Sequence, residues 1–413
     1  MLYNGPPDQP SNPNAPYIDG VPAAGIEGSI VPAGAVEFDQ REIVEVVNRA
    51  YLRGYFDFSG ATCGAPSNAD LQQLRKAIEG FITNVEYFID HPVTYTVHGP
   101  GAKFADLNEA MNWLAKYKIL RNGFVTLQIA GATSGVAQQF VYNTSVVLEH
   151  PNSSKIAITG APLIAAAPNE GSFVVTGVGY NLADANNHVA MLRATLGTEL
   201  HFINGHSMVV LNDFSISNLL ITGDGSVVND NDWGPLLLFN AGLPVISNIA
   251  VHGTGGNAGL MVNQAYLVMH GQWISVSGCT GVWGYEFQGD VLANTVNGTI
   301  AASNNGSGFT CQCGTSIKNG YITAKGNARN GFESYYSTHA IVLRSYNNGQ
   351  YGLWAAGSAM TAGGAGYYAN NGTGVAVYAT LGSAVNIPGV NVASGALSPP
   401  LNTVGNSNSM ISG

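Results

Sequence analysis

A glycine followed by an apolar residue or proline recurs through the second half of this chain. It occurs at Gly234-Pro235, Gly259-Leu260, Gly284-Tyr285, Gly308-Phe309, Gly331-Phe332, Gly352-Leu353 and Gly374-Val375, in steps of 25, 25, 24, 23, 21 and 22 residues. The last four lie within NNGSGF, ARNGF, NNGQYGL and NNGTGV, so chance in a glycine-rich chain does not explain the spacing. A period of roughly 20–25 residues with no helical pattern marks a solenoid, in which each repeat buries its apolar face only against its neighbours. A leucine-rich repeat would need a leucine ladder, which is absent. A parallel β-helix needs short strands of alternating polarity joined by turns, and these are present.

Side chains two apart share one face of a strand. Position +1 after each glycine holds Pro235, Leu260, Tyr285, Phe309, Phe332, Leu353 and Val375, and position +3 holds Leu237, Val262, Phe287, Cys311, Ser334, Ala355 and Val377. These columns are mostly apolar and are expected inside the coil. Asparagine before the turn tolerates left-handed backbone, and glycine takes positive φ at no steric cost. SISNLLIT (215–222), VISNIAVHG (245–253), QWISVSG (272–278), TSIKNGYIT (315–323) and HAIVLRSY (339–346) read as further strands. The expected fold is mainly β: a parallel β-helix with coils over 201–392, right-handed as a fold-level expectation.

Upstream, FADLNEAMNWLAKYKIL (104–120) places Phe104, Leu107, Ala110, Met111, Leu114 and Tyr117 on one helical stripe behind an Asp106/Glu109 capping pattern. A solenoid end exposes unpaired edges, so this helix is expected to cap it, with entry strands over 93–200. Residues 1–26, rich in Pro, Asn and Gly, read as an extended arm. Residues 27–92 carry two amphipathic helices, one lined by Ile43, Val46, Val47, Ala50 and Tyr51, the other by Leu71, Leu74, Ile78 and Phe81. Residues 393–413 read as a C-terminal tail.

Only 10% of residues are charged, and the net charge is −10. Nucleic-acid and anionic-membrane binding need basic patches, so neither is expected. No long apolar run predicts a membrane span, and no leader pattern opens the chain. Cys63, Cys279, Cys311 and Cys313 lack metal-site spacing and are expected as buried free thiols. No metal site and no cofactor are predicted.

GSIVPAGAVEFDQREIVEVV together with ADLQQLRKAI, residues 27–82, resembles the N-terminal attachment segment of tail fibre and tail spike proteins of tailed bacteriophages and prophages. The insert RGYFDFSGATCGAP (53–66) departs from the shorter linker of that pattern. The β-helix is similar in architecture to phage tail spikes and to the pectate-lyase-like superfamily, and LSPPLNTVGNSNSMISG resembles the close of such tail proteins. The resemblance implies a homotrimer located in the virion tail. Ile43, Val46, Val47, Leu71, Leu74 and Ile78 would dock on tail or baseplate proteins, and the β-helix would face a bacterial surface polysaccharide.

Position +2 should point outward. It holds Leu236, Met261, Glu286, Thr310, Glu333, Trp354 and Ala376. Leu236 and Met261 are the candidates for the subunit interface. Glu286 and Glu333 fall two coils apart, about 9.5 Å at the strand spacing. That is the long edge of the roughly 6.5–9.5 Å used by inverting glycosidases, so the two are the candidate catalytic carboxylates; the alternative is two acids that merely solvate a face. Trp354, Trp233, Tyr335 and Tyr351 are the candidate glycan-binding aromatics. GDGSVVNDNDWG, with Asp224, Asp230 and Asp232, lacks the closing Glu of an EF-hand and reads as a polar turn. His252, His270 and His339 have no nucleophile partner by spacing. The solenoid holds few cations: Arg193, Lys318, Lys325, Arg329 and Arg344. A glycan-binding adhesin is the favoured reading, with a depolymerase or a structural fibre as alternatives and a free lyase disfavoured.

Overall fold

The computed structural model describes residues 87–224, 234–239, 245–253, 258–269, 273–280, 283–288, 291–295, 298–363, 366–392, 396–398, 400 and 409–413. The chain divides into two compact units, 1–87 and 88–413. The arm and helices read from the first 86 residues, with Ile43, Val46, Val47, Leu71, Leu74 and Ile78, lie outside the described residues, as do Cys63, Asp230, Asp232, Trp233 and His270.

The second unit is a stack of parallel strands. Each coil supplies three strand segments, illustrated by Phe332–Tyr335 on a first face and the two halves of the bent strand Thr338–Tyr346 on a second and third. The first face is a ten-stranded sheet running from Val146–Leu148 to Ala396–Ser398. Its inward column is Val146, Met208, Leu236, Leu260, Tyr285, Phe309, Phe332, Leu353 and Val377, each the register partner of the next. Leu260, Tyr285, Phe309, Phe332 and Leu353 are the apolar residues of glycine-apolar pairs. Tyr285 and Phe309 stack at 4.4 Å and 5°, and Phe309 and Phe332 at 6.0 Å and 27°. Complete burial of each such side chain contributes about 1.5–3 kcal/mol.

Positive φ is found at the two outer repeat glycines, Gly234 (117°) and Gly374 (70°), but four of those between are needed for a reason other than turn geometry. Gly284, Gly308, Gly331 and Gly352 do not have positive φ. A Cβ on Gly308 would lie 2.7 Å from Asn327 Nδ2 and 2.7 Å from the Gly331 carbonyl, and Gly284, Gly331 and Gly352 meet the same pair of obstacles one coil along. Those asparagines form a buried ladder. Asn304 Nδ2 donates to Asn327 Oδ1 at 2.9 Å, Asn327 Nδ2 to Asn348 Oδ1 at 2.9 Å, and Asn348 Nδ2 to Asn371 Oδ1 at 3.1 Å. The backbone N–H of each donates to the next Oδ1 as well. Left-handed backbone falls one residue earlier, at Ser303, Gly326, Asn347 and Asn370. Asparagine and glycine therefore recur together because the amide of each corner occupies the space a side chain on the strand would fill.

Register departs from the expected columns at both ends. Gly259 pairs opposite Pro235, not Gly234, so Leu236 is an inward core residue with no exposure. Its assignment to an outward subunit interface is thus overturned. Met261 does point outward but is fully buried in a satellite cluster with Leu237 and Ala258. At the far end Leu353 pairs with Val377, and a bulge lies between Val375 and Val377. The outward partner of Trp354 is therefore Tyr378 and not Ala376.

Helix α1 (Leu107–Leu114) starts where expected. Asp106 accepts from Glu109 N at 2.8 Å, and Glu109 reaches back to the Ala105 N–H. It buries Leu107, Ala110, Met111 and Leu114 in the main core. It is shorter than expected, because Tyr117–Ile119 is a strand. Helix α2 (Leu182–Arg193) has no clear apolar stripe in its sequence, and only Leu192, Ala185, Asp184 and His188 are buried. It belongs to a strap, residues 160–197, laid on the outside of the third face. There Phe173, Leu192 and Leu196 pack on Leu220, Ala250, Trp273, Ile300 and Ala302. Among the described residues no helix is long and apolar enough to cross a membrane.

Candidate functional site

The outward column of the first face reads Val147, Val209, Leu237, Met261, Glu286, Thr310, Glu333, Trp354, Tyr378 and Ser398. Glu286 and Glu333 thus stand in one column with Thr310 between them, two strand spacings or about 9.5 Å apart at the backbone. Neither is a solvated surface acid: they are 2% and 4% exposed.

Their surroundings differ. Glu333 accepts from Ser307 Oγ, from Thr310 Oγ1 at 3.1 Å and from Asn330 Nδ2 at 2.6 Å. Glu286 takes one long bond, from Gln312 Nε2 at 3.3 Å, and its Oε2 has no partner among the described residues. Burial pushes its carboxyl up to about 7. One carboxylate is held by a full set of donors, and its neighbour is poised to carry a proton near neutral pH.

Beside them opens a cavity of ≈ 470 Å³ lined by Glu333, Gln312, Asn330, Arg329, Trp283, Tyr335, Tyr336 and Trp354, with Gln350 and Cys313 at its rim. Trp354 and Tyr335 meet edge to face at 5.0 Å, and the buried indole N–H of Trp354 has no acceptor among the described residues. On the adjoining coil Tyr351 stacks on Tyr378 at 5.0 Å and 12°. The structure therefore gathers Glu333, Tyr335 and Trp354 in one groove and places Tyr351 beside it. Glu286 does not line the cavity; it lies behind Gln312. The polar wall of Gln312, Arg329 and Asn330 was not assigned to a site from sequence, although Gln312 and Asn330 sit at +4 and −1 from repeat glycines. Cys313 is exposed at the groove, against the expectation of burial, whereas Cys279 and Cys311 are buried.

The remaining candidates are elsewhere. Asp224 accepts from Asn204 N at 3.1 Å. His339 lies in the core, accepts from Ile317 N at 3.2 Å and contacts Ser334 Oγ at 3.1 Å; burial draws it down to about 3, so it is neutral. Burial also draws His252 down to about 3. Trp273 is fully buried beneath the strap. Among the described residues no three His, Cys, Asp or Glu side chains converge as metal ligands.

No family model matches this chain, and no curated protein does. Among solved structures, the A-module of the Azotobacter vinelandii mannuronan C-5 epimerase is similar at 10% identity and a TM-score of 0.41 over 70% of this chain and 87% of that one. The parallel β-helix stands on the strand registers themselves.

Proposed function

We propose that this chain is a tail fibre or tail spike protein of a tailed bacteriophage or prophage. Residues 27–82 attach it to the virion, and the first face of its β-helix, in a homotrimer, holds a bacterial surface glycan. The resemblance of the N-terminal segment supports the attachment role. The observation that carries the glycan role is the groove walled by Tyr335, Tyr336 and Trp354 over Glu333. Saccharides bind where aromatic faces receive their apolar C–H surfaces and fixed polar groups receive their hydroxyls. Apolar walls with a few convergent polar groups are the general form of a small-molecule site. The groove is built on rigid, laterally bonded strands, which suits recognition without conformational change.

A second reading, depolymerisation, is favoured by the unlike carboxylates. A carboxyl raised towards neutrality, like that of Glu286, with a second carboxylate in the same column is the usual basis of acid and base roles. The near-complete burial of both acids, and the place of Glu286 behind Gln312, favour binding over cleavage. The discriminating experiment incubates the protein with purified bacterial surface polysaccharides and follows retention and new reducing ends. Retention without reducing ends is expected. Reducing ends that vanish in Glu286→Gln or Glu333→Gln would make the chain a hydrolase, and absence of retention on every polysaccharide would overturn the glycan role.

A further inference from the structure

On the third face the outward column runs Leu220, Ala250, Ser275, Ile300, Thr323, Arg344, Tyr367 and Asn391. It is mostly apolar where the strap covers it and turns polar where the strap ends. At that edge Glu170 of the strap meets the sheet. Its carboxylate accepts from Arg344 Nη1 at 2.7 Å and from the Tyr346 hydroxyl at 3.1 Å, and its carbonyl accepts from Lys325 Nζ. Lys325 is 3% exposed, and burial draws it down to about 8, so it remains largely charged at neutral pH. Two cations against one acid leave this spot locally positive on a chain of net charge −10.

Arg344 and Glu170 line cavities on both sides of their contact. One, of ≈ 370 Å³, is completed by Tyr321, Thr323, Ile300 and Asn169; the other, of ≈ 510 Å³, by Tyr346, Tyr367, Gly366 and Asn391. Tyr321 and Tyr367 are exposed, on the coils before and after Arg344. The Arg344 side chain is 41% exposed. A guanidinium offers five donors in a planar fork that fits a carboxylate, and Glu170 engages it at one nitrogen.

We infer that this edge of the strap is a second saccharide site, which takes a carboxylated glycan with its acid group on Arg344 and its rings on Tyr321 and Tyr367. The inference extends the glycan-binding reading to a second face and names an acidic sugar as its ligand class. Glu170 already places a carboxylate on Arg344 and Tyr346, so the donors are arranged for that group. The competing reading is that the cluster only anchors the strap.

The test measures retention of the full-length protein on an immobilised polyuronate and on the same polymer after reduction of its carboxyl groups to alcohols. The wild type should bind the polyuronate at low salt, weaken as salt rises, and bind the reduced polymer at least tenfold more weakly. Arg344→Gln should lose at least tenfold and Tyr321→Ala severalfold, the latter with an unchanged melting temperature because its ring is exposed. Trp354→Ala should retain the polyuronate, which separates this site from the first-face groove. Equal binding of the reduced polymer, undiminished binding by Arg344→Gln or Tyr321→Ala, or no binding by the wild type would overturn the inference.

Discussion

The interlock of glycine and asparagine can be tested by a double-mutant cycle at Gly308 and Asn327. In Gly308→Ala the new methyl meets Asn327 Nδ2 at 2.7 Å, the Gly331 carbonyl at 2.7 Å and Ala301 Cβ at 3.1 Å. Overpacking of this kind costs about 1–3 kcal/mol. The smaller conformational freedom of alanine in the unfolded chain returns about 0.4–1 kcal/mol, so a net loss of roughly 1–2 kcal/mol is expected. Asn327→Ala removes the acceptor of both the Asn304 N–H, at 3.2 Å, and Asn304 Nδ2, at 2.9 Å. Asn304 is fully buried, and each orphaned donor costs about 1–3 kcal/mol. The double variant lacks the amide that the methyl strikes, so its loss should fall short of the sum by about 0.5 kcal/mol or more. Urea unfolding midpoints of the four proteins, followed by intrinsic fluorescence, measure this. A wild-type midpoint for Gly308→Ala, or strict additivity, would refute the steric account of the repeat.

Three further outcomes follow from the burial of particular groups. Glu286 has its carboxyl raised to about 7 by burial, so the folded chain binds a proton more tightly than the unfolded one. Its contribution is full below the ordinary carboxylate range and lost as pH rises to about 7, a loss of order 2–3 kcal/mol; Glu286→Gln should flatten the stability profile there and melt above wild type at pH 8. Glu199 behaves oppositely: burial alone would raise it, but Arg193, Gln139 and Thr222 hold it below its ordinary value. Glu199→Gln should destabilise at neutral pH by up to about 3 kcal/mol, moderated by the exposure of Arg193, with the difference in melting temperature closing as pH falls through the folded pKa. Leu236→Asp places a carboxylate in the core column and should abolish soluble expression, whereas an interface role would leave a folded chain of altered sedimentation.

Much of this was legible because the coil is periodic. Side chains two apart share a face, so Leu260, Tyr285, Phe309, Phe332 and Leu353 could be assigned inward, and Glu286, Thr310, Glu333 and Trp354 outward, from spacing alone. The assignment failed where the period slipped: Pro235 displaced Leu236 by one residue, and the bulge at Val375 hid Tyr378 behind Ala376. A single-residue slip exchanges faces, which sequence spacing cannot resolve without the opposing strand. The purpose of Gly284, Gly308, Gly331 and Gly352 was also misread, because a clash with the next coil's asparagine leaves no local signature. Least legible was the strap. Glu170 meets Lys325 and Arg344 from 155 and 174 residues away, and α2 lacks the apolar stripe that would have announced it.

The most direct test of the glycan role is retention of the wild type and of Trp354→Ala on an array of purified bacterial surface polysaccharides. The account predicts at least one polysaccharide that retains the wild type and loses Trp354→Ala by tenfold or more while the variant still unfolds cooperatively. Retention indifferent to Trp354 on every polysaccharide that binds, or no retention on any glycan, would contradict it.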